Sequence, residues 1–293
     1  MTKIIDGKKI SQKLKDNLKI EIEEIKNTFK RVPGLAVVQV GDVAASSVYV
    51  KAKTRAAKEV GITVFDHHLD ASITQTDLLN LIDDLNKNED VNGILVQLPL
   101  PTNINEQIIL DSIHPNKDAD GFHPLNVGKL SISNSNNQNL LIPCTPLGCL
   151  IMLQDEGIDL SGKNAVIIGR SNIVGKPMAQ LLIKESCTVT IAHSKTINIE
   201  SICKSADILV VAIGKPEVVK SNWVKEGAII IDVGINRIND VENNKTKLVG
   251  DVMFDEVKNK VSAITPVPGG VGPMTIACLL KNTKTAFLNQ NKI

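Results

Sequence analysis

The sequence predicts an α/β protein of two domains, and three observations carry that prediction. Apolar runs of strand length alternate with amphipathic helical patterns along most of the chain, as in a parallel sheet with helices on its faces. The alternation breaks once, at the polar stretch 131–139 (SISNSNNQN), which is too poor in apolar residues to join a core and reads as an exposed loop near a domain boundary. At 293 residues the chain suits two domains of ordinary size better than a single core.

The first element is a long helix over 6–29, because Ile10, Leu14, Leu18, Ile22, Ile25 and Phe29 recur at steps of three or four and share one stripe. Strand-like runs at 34–40, 62–65 and 93–96 follow, separated by helical patterns at 46–60 and 74–88. Beyond the polar break a helix starts after Thr145. It is followed by strand 165–168, helix 176–185 and strands 189–192, 208–212 and 228–233. The strand–helix–strand unit over 164–192 is similar to the mononucleotide-binding half of a Rossmann unit. Near the end TPVPGGVGPMT is a Pro/Gly loop, and 274–288 reads as a closing helix that packs back on the first domain. The expected domains are 1–142 with 272–293, and 143–271. No internal repeat is present.

Composition narrows the function. Hydrophobic residues make up 43% and charged residues 22%, so a packed globular protein is expected rather than disorder, collagen or coiled coil. Lys+Arg 33 against Asp+Glu 32 gives a net charge of +1, which supplies neither a basic stripe for nucleic acid nor a polybasic membrane tether. Aromatic residues are only 2%, too few for base-stacking platforms, and Tyr49 is the one tyrosine. Five cysteines form no C-x-x-C pair and no zinc spacing, which fits reduced thiols in the cytoplasm. The start, MTKIIDGKKISQKL, has no signal-peptide core, and no apolar run reaches membrane-spanning length.

Strand 165–168 runs into GRSNIVGKP and a helix, so Gly169 and Gly175 sit where a turn lets backbone N–H groups approach a phosphate. A Walker loop is excluded: five residues separate the glycines instead of four, and Pro177 follows the Lys. The G-x-G-x-x-G fingerprint fits imperfectly, because Ser171 and Val174 take glycine positions; an ordinary strand-to-helix turn stays the alternative. Strand 189–192 ends in His193-Ser194-Lys195-Thr196 without the acidic residue that bonds the ribose of NAD. Ser194 and Lys195, with Arg170, offer a hydroxyl and positive charge suited to a 2′-phosphate, so NADP is preferred; solvated surface residues are the bland alternative.

In the first half Ser46, Tyr49 and Lys53, three and four residues apart, share one helical face, as they also would on a plain amphipathic helix. Gln97 closes strand 93–96, at the end where open α/β sheets bind ligands. Asn116-Lys117-Asp118-Ala119-Asp120-Gly121 suggests a calcium loop, but Val127 stands where the bidentate Glu belongs, so metal binding is rejected. A turn presenting two carboxylates remains, either solvated or an acceptor for a ligand's N–H groups.

Taken together, YVKAK, GILVQLPLP, KDADGFHPLNVGKL, PCTPLG, GRSNIVGKP, HSKT and TPVPGGVGPMT resemble, in order and over nearly the whole chain, the bifunctional methylenetetrahydrofolate dehydrogenase/cyclohydrolase family. The resemblance implies an α/β catalytic domain completed by the C-terminal helix, a Rossmann dinucleotide-binding domain, a cleft between them, and a homodimer. It implies that Tyr49 lines the folate pocket with Ser46, that Lys53 is the catalytic lysine, and that Gln97 bonds it. It further implies that Asp120 grips the pterin ring and that the 266–272 loop, with Pro266, Gly269 and Gly270, walls the folate. Gly169, Arg170, Ser171, Gly175, Ser194 and Ile235 fall at the dinucleotide site.

The chemistry agrees. Oxidising a methylene bridge between two nitrogens needs a hydride acceptor held against the carbon, so positioning matters more than strong acids or bases. Hydrolysing the methenyl product needs proton transfers as water attacks, which a lysine in a partly desolvated cleft can carry. The expected activity is NADP-dependent oxidation of 5,10-methylenetetrahydrofolate and hydrolysis to 10-formyltetrahydrofolate. The alternative is an NAD-dependent, dehydrogenase-only relative, against which the basic Arg170, Ser194, Lys195 cluster argues.

Overall fold

The structure, a computed structural model, describes residues 2–42, 44–133, 139–240 and 245–291. In chain order the first half holds β1 (Lys3–Ile4), α1 (Gly7–Phe29), β2 (Gly34–Val40), α2 (Ala44–Glu59), β3 (Thr63–Leu69), α3 (Gln75–Lys87), β4 (Gly93–Val96), α4 (Glu106–Ser112) and α5 (Pro124–Ile132). The second half holds α6 (Cys144–Asp155), β5 (Asn164–Ile168), α7 (Gly175–Lys184), β6 (Thr188–Ala192), α8 (Ile199–Lys204), β7 (Ile208–Val211), β8 (Ile229–Asp232), β9 (Asn236–Asp240), β10 (Lys245–Val249), α9 (Phe254–Val257), β11 (Ala263–Ile264) and α10 (Val271–Gln290). These elements form two compact units, Gln12–Cys144 with Ile276–Ile293, and Met1–Ser11 with Thr145–Thr275.

The first of these, the N-terminal unit, is built on a parallel sheet of order β3-β2-β4. Its middle strand β2, GLAVVQV, is buried at all seven positions, because a parallel strand covered on both faces reads as a continuous apolar run rather than an alternation. Leu78, Ile82 and Leu85 of α3 pack on Ala36, Val38, Ile94 and Val96. Thr74 caps α3 by accepting from the Asp77 N–H. The predicted stripe of α1 is buried at Leu18, Ile22 and Ile25, and Phe29 meets Phe287 of α10 edge to face at 5.4 Å.

The Rossmann-like unit has a parallel six-stranded sheet of order β1-β11-β8-β7-β5-β6, with the antiparallel hairpin β9–β10 beside it. Its core is formed by Val166, Ile168, Leu209, Val211, Ile230 and Ile264, among others.

The compact units divide the chain in part differently from the expected domains. The first residues cluster with the Rossmann-like unit: β1 pairs parallel with β11, Lys3 opposite Ala263, and Gly7 packs so tightly on Gly270 that a Cβ would lie 1.8 Å from its carbonyl oxygen. A two-residue ladder carries no periodicity, so only the partner strand reveals it. The units meet at 144/145 and 275/276, within α6 and α10, a few residues from the expected 142/143 and 271/272. The polar stretch 131–139 is likewise not all loop. Ser131 and Ile132 close α5, which Leu130, fully buried, anchors; residues 134–138 lie outside the described residues.

Candidate active site

In the N-terminal unit, α2 and the end of β4 bring two of the predicted residues into direct contact. Lys53 is 8% exposed, and its Nζ donates to Gln97 Oε1 at 3.0 Å. The Gln97 amide is fixed in turn, because its Nε2 donates to the Leu98 carbonyl at 2.6 Å, which leaves the oxygen for the lysine. Lys53 is thus buried with a neutral acceptor instead of a carboxylate. The following Leu98–Pro99 peptide is cis. Tyr49, one helical turn before Lys53, is partly exposed at 37%, and burial of the rest raises its phenol above the usual range. Ser46 lies in the same helix, but its side chain is outside the described residues.

The two carboxylates of KDADG part company. Asp118, 2% exposed, accepts from the N–H groups of Gly121 (3.0 Å), Phe122 (3.1 Å) and His123 (2.8 Å) and from Asn126 Nδ2 (2.9 Å). It is a structural anchor, with burial pushing its pKa up against those hydrogen bonds. Asp120 makes no protein hydrogen bond among the described residues, and burial pushes it up to about 6, with the Lys53 charge pulling down and Asp118 pushing up. At neutral pH it is an ionised acceptor without a protein donor among the described residues. The backbone around it is held by Asn282 of α10, whose Nδ2 donates to the Ala119 and Ile142 carbonyls, both at 2.8 Å. Gly121 has φ +75°, and a Cβ there would meet Ile142 and Pro143 backbone at 2.5 Å, so the turn requires glycine.

In the Rossmann-like unit, Gly169 ends β5 with φ +125°, and a Cβ would stand 2.2 Å from the Ala212 carbonyl oxygen. Gly175 opens the ten-residue α7, and its Cβ would strike the Gly169 carbonyl at 2.2 Å. Ser171 Oγ accepts from the Val174 N–H at 3.1 Å, closing the turn. The backbone N–H groups of residues 170–173 have no protein acceptor among the described residues, so the turn and helix N-terminus fit a phosphate. Arg170, Ser194 and Lys195 are exposed beside it, and Ile235 is 43% exposed after β8. Pro266, Gly269 and Gly270 belong to this unit too: the Val267–Pro268 peptide is cis, and the Lys8 N–H donates to the Gly269 carbonyl at 3.1 Å.

A cavity of about 980 Å³ opens along Lys51, Thr54, Arg55 and Lys58, the stripe of α2 that excludes Lys53, and contains none of the predicted residues. Sequence reasoning missed Asn282 and the buried pair Asp232 and Asp251, which tie the loops after β7 and β8. An Asn within an apolar helical pattern was the one available signal for Asn282; for the acids there was none.

Two family models match the chain. That of the tetrahydrofolate dehydrogenase/cyclohydrolase catalytic domain covers residues 5–120, and that of the corresponding NAD(P)-binding domain covers 143–291. Bifunctional protein FolD of Acetivibrio thermocellus is 53% identical over 291 residues, 99% of each chain. The crystal structure of the FolD methylenetetrahydrofolate dehydrogenase/cyclohydrolase of Campylobacter jejuni is 48% identical with TM-score 0.93, over 99% of this chain and 100% of that one. A FolD structure from Trypanosoma brucei, complexed with NADP cofactor and inhibitor, is 39% identical with TM-score 0.94, over 100% of this chain and 99% of that one.

Proposed function

The chain belongs to the tetrahydrofolate dehydrogenase/cyclohydrolase family, and on that premise we propose how its residues divide the work. It oxidises 5,10-methylenetetrahydrofolate to the 5,10-methenyl form with NADP and hydrolyses that product to 10-formyltetrahydrofolate.

Asp120 anchors the pterin, its unpaired carboxylate accepting from the ring N–H groups. Tyr49 lines the folate, with Ser46 one turn earlier, and Pro266, Gly269 and Gly270 are assigned to its wall. Gly169, Arg170, Ser171, Gly175, Ser194 and Ile235 hold the dinucleotide, with Arg170 and Ser194 reading the 2′-phosphate. NADP bound there accepts the hydride that leaves the methylene carbon, and the adjacent nitrogen lone pair fills the resulting deficit. In the second step water adds to the methenyl carbon, the bond from that carbon to N5 breaks, and Lys53 carries the proton between the two. Gln97 aims the amine at the one-carbon unit.

The observation that carries this division is the 3.0 Å bond from buried Lys53 to a neutral Gln97 acceptor. If hydride transfer rests on positioning and hydrolysis on proton transfer, Lys53→Met loses at least about 10²-fold in cyclohydrolase and keeps more of the dehydrogenase. Methenyl product then accumulates, read by its absorbance on a folded, NADP-binding preparation. Normal cyclohydrolase turnover would eliminate Lys53 as the proton carrier.

A homodimer is proposed as well. β3 is an edge strand of its sheet, with one side of its ladder free for a partner strand, and the stripe beside it carries both Lys51 and Lys58 and Asp42 and Asp66, as a self-complementary surface needs. Sedimentation of Val64→Pro, which removes a donor in β3, tests it; an unchanged dimer retires that surface. The cytoplasm is the proposed compartment, since all five cysteines are buried and none is joined in a disulfide among the described residues.

A further inference from the structure

The loops after β5, β7 and β8 lie at the carboxyl edge of the Rossmann-like sheet, where open α/β sheets bind ligands. Two of them are held by one side chain that belongs to neither. Asp251, 0% exposed and placed just after β10, accepts at Oδ2 from the N–H groups of Ile213 (2.7 Å) and Gly214 (2.9 Å). At Oδ1 it accepts from the Lys215 N–H (2.9 Å) and from Asn236 Nδ2 (2.8 Å). Its four acceptor positions are thereby spent, three on the loop after β7 and one on the residue that opens β9. Its own N–H donates to Asp232 Oδ1 at 3.0 Å, which seats it on the end of β8.

The loop after β7 in turn carries the Ala212 carbonyl that presses on Gly169. The segment after β8 carries Ile235 and Asn236. We propose that Asp251 is a positioning residue for NADP: it sets the loop at 213–215 and the segment at 235–236 as two walls of the dinucleotide site without touching the cofactor. An acceptor-only side chain suits the place, since all four groups bonded to its carboxylate are donors. Position 234 must be glycine to admit this carboxylate, because a Cβ there would lie 2.2 Å from Oδ1. The inference rests on the dinucleotide lying at Gly169 and Gly175, as assigned above.

Asp251→Asn preserves volume and turns one oxygen into a donor against N–H groups. NADPH fluorescence titration of the full chain is expected to show a dissociation constant raised roughly tenfold or more. The dehydrogenase then loses more in kcat/KM for NADP than in kcat, and more than the cyclohydrolase, which consumes no nicotinamide. Asn236→Ala removes one of the four bonds and should shift NADPH affinity about threefold in the same direction; it decides the matter if Asp251→Asn does not fold. Unchanged NADPH affinity, or an equal fall in both activities, overturns the proposal. Arg170→Glu separates the premises: if it leaves NADPH affinity intact, the dinucleotide lies elsewhere and site and inference fall together. If it weakens NADPH while Asp251→Asn does not, only the role of Asp251 falls.

Discussion

Asp118 and Asp251 do the same job in the two units by opposite routes. Each is a buried carboxylate surrounded by N–H donors, and each fixes a loop next to proposed site residues. The donors to Asp118 come from three to eight residues ahead, Gly121, Phe122, His123 and Asn126. Those to Asp251 come from 36 to 38 residues behind, Ile213, Gly214 and Lys215, and from Asn236, 15 behind. The local cage makes its motif a self-contained turn that places Asp120 two residues on. The remote cage contributes nothing to its own segment and instead joins two loops. A carboxylate caged by its own turn therefore orders one local segment, whereas one reached across a sheet ties segments far apart in the chain.

The largest expected effect lies on the local side. Asp118→Asn sets an amide donor against the N–H groups it replaces, in a buried place with no alternative partner, and should cost about 3 kcal/mol in urea unfolding. A loss under about 1 kcal/mol would break the comparison, since the turn would then stand without its cage.

Next comes Asp120, the unbonded member of the same loop. Asp120→Asn should weaken folate binding by about 1–3 kcal/mol and lower both activities together; unchanged affinity in a direct titration would retire the pterin-anchor role. It should also change the pH response. The Asp120 pKa is raised in the folded protein from 3.8 to about 6, so its contribution to stability is complete below about 3.8 and is lost as pH rises through about 6. Asp120→Asn should flatten that part of the stability profile. Folate affinity of the unmodified protein runs the other way, rising between pH 5 and 7 as the acceptor ionises, and a flat profile would show that Asp120 does not contact the ligand.

The smallest effect is expected at the exposed edge of the second unit. Arg170→Ala should weaken NADP by about 1 kcal/mol more than NAD, because only NADP carries the phosphate a guanidinium pairs with. Equal losses would place the 2′-phosphate against Ser194 and Lys195 alone.

Much of the candidate site's geometry was legible from short-range pattern. The three-and-four spacing put Tyr49 and Lys53 on one face of a helix, the run GILV ended on Gln97, and the strand-to-helix turn at Gly169 and Gly175 followed from chain geometry that glycine permits. The different fates of Asp118 and Asp120 were not legible, since both are acidic residues in one turn and only the folded loop shows that the donors point at the first.

The sequence by itself determined the α/β alternation, the order of the motifs and the chemical types at the site, because periodicity, turn residues and strand ends are written within a few positions of one another. Tertiary structure alone decided that residues 2–11 join the Rossmann-like unit, that Asn282 braces the turn before Asp120, and that Asp251 clamps loops 36 to 38 residues away. Each of those is a hydrogen bond between segments far apart in the chain. A buried donor must be satisfied, but nothing local states by which acceptor, so the partner exists only once packing has brought the segments together.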